Sequence, residues 1–407
     1  MQNNLPLYLQ NIPKHWEVKK VSWAFNTIGS GTTPNTNSEK YYENGTINWI
    51  NTGDLNDGIL YDCTKKITEL AFQDHSTLKM YPENTLLIAL YGATIGKVSL
   101  LAFEACTNQA CCALANSDLF DMKYVFYWFL ANREHIINQS YGGGQPNISQ
   151  EIIKNLRIIC PPLPEQHAIA DYLDRKTAEI DGLINKKTQL IALLKEEEKA
   201  FINERLEIKD KRLEMRDERL EIKDKRLEIR DGEWQRKKLK YVCKFEYGNS
   251  LSTEERIEGE IDVFGSNGAV GTHNEAITNA PCIIIGRKGS FGKVNWSDKP
   301  CFPIDTTYFI DNTKTNENLK WLYYALQSLN LDSFSRDTGV PGLNREDAYS
   351  NFINVPSLPT QARIVGEIEA HLGKSRAIGE KLQREIGLLK EYRQSLISEA
   401  VTGRVRV

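Results

Sequence analysis

Apolar positions recur along this chain in two patterns. Short unbroken apolar runs, TLLIAL (85–90) and PCIIIG (281–286), sit among stretches rich in Gly, Asn and Thr and predict buried strands. Each run is followed by a segment dense in aromatic residues, DMKYVFYWFLANREHI (121–136) and NLKWLYYALQSL (318–329), which predicts a helix. Two longer stretches carry apolar residues at alternating steps of three and four. The first runs through Ile169, Leu173, Ile180, Leu183, Leu190, Leu194 and Phe201; the second through Ile364, Ile368, Ile378, Leu382, Leu389, Tyr392 and Leu396. That spacing keeps one side of a helix apolar and predicts a coiled-coil seam on each. Pro164 and Pro359 stand near the first helical position, where a missing N–H is harmless. Each helix supplies the stripe that the other needs, so the economical arrangement packs them on each other.

The chain also repeats itself. PLPEQHAIADYL (162–173) returns as SLPTQARIVGEI (357–368), and LLKEEEKAFINE (193–204) returns as LLKEYRQSLISE (388–399), both at an offset of 195 residues. WEVKKV (16–21) returns as WQRKKL (234–239), and GATIGKV (92–98) as GSFGKV (289–294), at other offsets. Both modules end in Gly-rich loops, YGGGQPN (141–147) and TGVPGLN (338–344). The expected fold class is α/β with a pseudo-twofold internal repeat: two similar modules separated by two long antiparallel helices. The linear division is 1–160, first module; 161–204, first long helix; 205–232, spacer; 233–357, second module; 358–407, second long helix and tail. The spacer, RLEIKDK-RLEMRDE-RLEIKDK-RLEIRDG, is four near-copies of one heptad. Its Leu and Ile/Met rows lie roughly 160° apart on a helix, and pairs such as Glu207–Lys211 favour a solvated, charged helical spacer.

Composition narrows the function. No run of eighteen apolar residues exists and no basic-then-apolar leader opens the chain, so a cytoplasmic protein is expected. The eight cysteines form no CxxC pair and the six histidines lie at no metal-ligand spacing beside them. Cys111-Cys112 therefore reads as reduced, buried thiols rather than a metal or redox site. The net charge of −3 is awkward for a nucleic-acid binder. Residues 1–160 hold 12 Lys+Arg against 14 Asp+Glu, and residues 233–357 hold 14 against 16. If this chain reads DNA, something else must supply much of the grip.

Catalytic signatures are missing. There is no Walker loop, GxGxxG, HExxH or GxSxG, and the Asn-Pro-Pro-aromatic motif of amino methyltransferases is absent. Glu197-Glu198-Lys199 is solvated helix charge. The polar loops hold the candidate binding residues: Ser30, Thr32 and Thr33 in SGTTPNTNSEKYY, Asn51, then Thr94 and Lys97 beside the first Gly turn. In the second module they are Ser266 and Asn267, then Arg287, Lys288, Ser290 and Lys293 in GRKGSFGKV. Hydroxyls, amides and cations of these types pair with base edges and phosphates, and glycines let a backbone come close to a duplex. Trp49, Trp296 and Tyr91 are expected to pack rather than stack on bases.

These features resemble the specificity subunits of type I restriction–modification systems. PPLPEQHAIADYLDRKTAEIDGLI (161–184), GRKGSFGKV (286–294) and LLKEYRQSLISEAVTGRVRV (388–407) carry the resemblance, and its layout covers essentially the whole chain. The heptad insertion departs from the family pattern. The resemblance implies that the modules are target-recognition domains of a non-catalytic DNA reader, each binding one half of an asymmetric, bipartite site. It implies two methyltransferase (modification) subunits docked on the conserved helices, and motor-nuclease (restriction) subunits beyond them. S-adenosylmethionine, ATP and Mg2+ belong to those partners; no cofactor or metal is expected in this chain, and no membrane. Two other classes stay open at this stage: a coiled-coil protein-interaction scaffold that never touches DNA, and a self-sufficient methyltransferase.

One heptad of continuous helix spans about 10.5 Å at ~1.5 Å per residue, which matches roughly three base-pair steps of ~3.4 Å. Deleting one heptad from residues 205–232 is expected to shorten the recognised gap by about three base pairs, read from the methylation motif of a host carrying the variant. An unchanged gap means that the repeats loop out.

Overall fold

The computed structural model describes residues 12–140, 147–206, 234–334, 342–405 and 407. The heptad spacer past Leu206 and most of both Gly-rich loops, at 141–146 and 335–341, lie outside the described residues. The chain divides into two compact units, residues 1–187 with 384–407, and residues 188–383. Each unit therefore draws on both long helices, Leu163–Arg205 and Leu358–Val401.

In the first unit, β1 (Glu17–Lys20) pairs antiparallel with β10 (Arg157–Cys160) and closes the module just ahead of the long helix. The central sheet runs β2 (Thr27–Gly29), β9 (Cys111–Ala115), β6 (Leu86–Ala89), β7 (Val98–Leu101) and β4 (Ile59–Leu60), with only the last pair parallel. A smaller sheet runs β5 (Lys66–Ile67), β3 (Ile47–Ile50) and β8 (Cys106–Thr107). Successive strand residues point to opposite faces, and both faces are covered. Leu86, Ile88, Cys112 and Leu114 join the core around the aromatic helix Met122–Ala131, whereas Leu87, Ala89, Cys111 and Ala113 face a second cluster with Ile50, Leu55 and Tyr81. Two-sided burial explains why TLLIAL is an unbroken apolar run. It also turns Cys111 and Cys112 to opposite sides of the sheet. Burial pushes the Cys112 thiol up to about 12, which keeps it a small apolar side chain.

The second unit follows the same plan. β11 (Gln235–Lys238) pairs with β19 (Phe352–Val355), and an antiparallel sheet runs β12 (Glu246–Tyr247), β18 (Thr307–Asp311), β15 (Cys282–Gly286) and β16 (Val294–Ser297). Ile283 and Ile285 face the helix Leu319–Ser328, while Cys282 and Ile284 face the other way. A smaller sheet, β14 (Gly268–His273), β13 (Ile261–Gly265) and β17 (Phe302–Pro303), carries the turn at Ser266–Asn267.

Two buried polar devices are duplicated, and they fix each module to its long helix. Gln166 is fully buried; its Oε1 accepts from the Asp121 backbone N–H (2.9 Å), and its Nε2 donates to the carbonyls of Leu119 (2.9 Å) and Pro161 (2.8 Å). Gln361, its repeat, accepts from the Asn318 N–H (2.8 Å) and donates to Pro356 O (2.9 Å) and Glu317 (2.6 Å). Asp121 and Asn318 are the N-caps of the two aromatic helices, so each glutamine grips the start of its neighbour. One level further on, Lys123 and Tyr127 both reach Asp174, and Lys320 and Tyr324 both reach Glu369.

Within the first unit the helices run antiparallel. Asp181 meets Arg393 at 3.0 Å and Lys187 meets Glu385 at 2.5 Å, and Ile169, Leu173 and Ile180 share a core with Leu396, Ile397 and Val401. Leu389 packs against that core. In the second unit the order of contacts again runs antiparallel: Glu197 with His371 at 2.9 Å and Arg205 with Glu367 at 3.1 Å. Here Ile364 and Ile368 are buried, Leu382 is buried, Leu194 is half-buried, and Phe201 stacks on His371 with ring centroids 4.0 Å apart.

Four expected seam residues lie outside the packing. Leu183, Leu190, Ile378 and Tyr392 are 47%, 44%, 48% and 57% exposed. The inward row steps four residues on from Ile180 rather than three, through Ile184, Lys187, Ile191 and Leu194. In the second helix it passes through Ser375 and Gly379 instead of Ile378. Helix phase decides which side chain faces inward, and size does not. Polar members of the row are satisfied locally: Thr177 Oγ1 donates to Leu173 O (2.7 Å), Ser375 Oγ to Glu198 (2.5 Å) and Lys187 Nζ to Glu385.

Gln166→Ala is expected to strand the Asp121 N–H and two carbonyls. An unsatisfied buried group costs about 1–3 kcal/mol, so a loss of about 2 kcal/mol is expected in urea denaturation of the full chain. A change below the error of the fit counts against the clamp.

Candidate nucleic-acid interface

The GRKGSFGKV hairpin joins β15 to β16 and needs its glycines for separate reasons. Gly289 and Gly292 adopt φ of +73° and +76°, a region that favours glycine. A Cβ on Gly292 would also lie 2.2 Å from the Asp332 nitrogen, and one on Gly286 would lie 2.3 Å from Ser290 O. The turn closes through Gly286 N–H to Lys293 O (2.9 Å) and Gly292 N–H to Gly286 O (2.8 Å). The first unit builds the same closure from GATIGKV: Ala89 N–H donates to Lys97 O (2.8 Å) and Gly96 N–H to Ala89 O (2.9 Å). Gly92 and Gly96 have φ of +79° and +75°.

In the second unit the hairpin gathers other loops. Arg287 donates from its backbone to Thr306 O and from Nη1 to Asp305 O, each at 2.8 Å. Lys293 Nζ donates to Asn267 O (2.9 Å) and Oδ1 (2.8 Å), and Ser266 Oγ donates to Thr306 O (2.7 Å). Ser266, Asn267, Arg287 and Lys293 are thus joined into one cluster, with Lys288 and Ser290 exposed on the same turn. Leu343 N–H donates to Arg287 O (2.8 Å) and draws in the following residues. The Arg287 and Arg345 guanidiniums lie 5.1 and 5.2 Å from the ring centre of Tyr247, which packs on Tyr308 at 5.0 Å. Burial pushes the Tyr308 phenol up to about 12, so it remains a donor, to Leu343 O at 3.2 Å. A partly exposed tyrosine flanked by two arginines offers a π face and two planar donor groups side by side.

The first unit is looser. Thr94 and Lys97 share the Gly turn. Ser30 accepts from Gln150 (2.7 Å), Thr33 donates to Gln109 (2.7 Å), and Thr32 O accepts from the Trp49 indole (3.1 Å). Asn51 spends its side chain on Asp54 (3.1 Å), which makes it a turn former. Trp49 is buried, Trp296 is half-buried under Lys320, and Tyr91 is exposed and bridges to Asn147. No local pattern marks Tyr247 and Arg345 as members of one site. Arg345 follows the Gly-rich loop TGVPGLN, but nothing in the sequence joins it to Tyr247, some hundred residues away.

The arrangement repeats a backbone turn: Thr94 and Ile95 in one unit stand where Ser290 and Phe291 stand in the other, whereas the lysine is shared as Lys97 and Lys293. Comparison with known proteins accounts for that plan. The sequence pattern described as the type I restriction modification DNA specificity domain matches residues 13–193 and again residues 231–386. The chain belongs to this family of type I restriction–modification specificity subunits.

The EcoprrI specificity subunit of Escherichia coli is 26% identical over 383 residues, covering 89% of each chain. The MjaIX specificity subunit of Methanocaldococcus jannaschii is 26% identical over 428 residues, covering 97% of this chain and 95% of that one. Among solved structures, a chain from work on complex assembly and conformational transition of the type I R-M system shares the fold. Its TM-score is 0.68 at 15% identity, with 97% of this chain and 100% of that chain covered. The HsdS subunit from Thermoanaerobacter tengcongensis gives 0.55 at 16% identity, with 97% and 98% covered. Both family matches include a hairpin and the start of a long helix. Among the described residues no helix is long and apolar enough to cross a membrane.

Proposed function

We propose that this specificity subunit reads an asymmetric, bipartite DNA site, one half with each unit, and carries no catalytic centre of its own. The observation behind this reading is the pair of Gly hairpins, alike in backbone closure and unlike in side chains. A shared turn presents donors to a groove in the same way, and different side chains select different bases. The long helices set the gap between half-sites. Methyltransferase subunits bring S-adenosylmethionine and further phosphate contacts, and restriction subunits bring ATP and Mg2+; all act in the cytoplasm, where the DNA is.

The exposed apolar residues on the helices support two equivalent docking points. By the 195-residue offset Leu183 corresponds to Ile378 and Leu193 to Leu388, and all four are exposed. The first unit displays Leu183 and Leu388, between the levels marked by the Asp181–Arg393 and Lys187–Glu385 ion pairs. The second displays Leu193 and Ile378, whose neighbours in sequence, Leu194 and Gly379, line a groove. Each unit thus offers a matched pair of exposed apolar side chains, one on each helix, which suits one methyltransferase subunit per unit.

Methylome sequencing of a host carrying this chain with its partners is expected to return two unlike half-sites around a fixed gap; a palindromic motif or none would sink the reading. Leu183→Arg with Ile378→Arg is expected to abolish co-purification of the methyltransferase subunits while the thermal unfolding midpoint stays within about 2 °C, since exposed substitutions seldom exceed 0.5 kcal/mol. Undiminished co-purification counts against these docking points.

A further inference from the structure

Beside the hairpin cluster, the second unit has a cleft of about 540 Å3 lined by Lys240, Tyr241, Lys244, Lys314, Asn316 and Arg345. Its four cations are a large share of the fourteen Lys and Arg in residues 233–357, in a module whose overall charge is negative. Two acids offset them. Glu246 pairs with Lys244 (2.8 Å) and Lys314 (3.2 Å), and Glu346 lies 3.9 Å from Arg345 Nε. Tyr241 is 72% exposed, with the Lys240 ammonium 4.7 Å from its ring centre. Neither the fold nor the hairpin explains an exposed tyrosine in a cleft that three lysines also line. Arg345 connects the cleft to the reading loops, because it also flanks Tyr247 opposite Arg287.

We propose that this cleft seats the phosphodiester backbone of DNA next to the half-site read by the second unit. The proposal rests on the DNA-reading function above and adds the residues that hold the strand. Lysine ammoniums bind phosphate as point charges without regard to sequence. An acidic protein surface is the rival occupant; continuity with the hairpin through Arg345 and Tyr247 favours DNA. Glu246 acts as an internal counter-ion that lowers the grip of two lysines.

The test uses the subunit assembled with its methyltransferase partners. Its probes are a duplex carrying the motif found by methylome sequencing and a scrambled duplex of equal length. Lys240→Gln and Lys314→Gln should each weaken binding to both duplexes by about three- to tenfold, and lower the slope of log affinity against log salt by ~0.9. Lys240→Arg should restore both. Glu246→Gln should tighten binding to both duplexes about threefold, through removal of one nearby negative charge; a purely structural ion pair would give a loss instead. Unchanged affinity and slope in the two lysine variants overturns the proposal, as does a loss confined to the cognate duplex. Loss of methyltransferase co-purification in Lys240→Gln would reassign the cleft to protein docking. Should the wild-type complex bind both duplexes equally, the site-reading function fails, while the change in salt slope still decides the cleft.

Discussion

The helix seam is the constraint from which the rest of the structure follows. A helix forty-three residues long carries only a narrow apolar row, and alone it would leave Leu173, Ile180 and Ile191 in water. In each unit that row is covered by the other helix running the opposite way. The core around the first aromatic helix therefore includes Leu396, Ile397 and Val401 from the far end of the chain. The first module and the C-terminal segment consequently share one core.

Polar groups fix where each helix meets its own module. An apolar row alone would tolerate sliding against its neighbour. Gln166 and Gln361 do not tolerate it, because each must meet one N–H and at least one carbonyl at fixed positions on its own module. Asp174 and Glu369 add the same requirement about two turns further along. The units thus hold their helices by hydrogen-bond registers that a one-residue slip would leave unsatisfied.

The hairpins proposed to read DNA use the opposite strategy. Their backbone is over-determined by positive-φ glycines and closing hydrogen bonds. In the second unit Lys293 is held by Asn267 and Arg287 by Asp305, so the protein itself orients both cations. Pre-orientation of this kind lowers the ordering cost of recognition. The net charge of the chain then matters less than where its few cations are gathered.

Much of this was legible in the primary structure. The 195-residue repeat showed two modules and two long helices, because duplicated local propensity and capping survive in any alignment of a chain with itself. The apolar runs marked the central strands, since strands covered on both faces carry no polar alternation. The Gly-Lys-Val turns stood out because positive φ restricts residue choice. Tertiary structure alone decided the rest. Leu183, Leu190 and Ile378 looked like seam residues, yet phase set by the partner helix turned them outward and drew Ser375, Gly379 and Lys187 inward. Tyr247, Arg345 and the lysine cleft were invisible because their members lie far apart in sequence. Periodicity reports what one segment does alone; which residues meet across a core or a cleft depends on packing between segments.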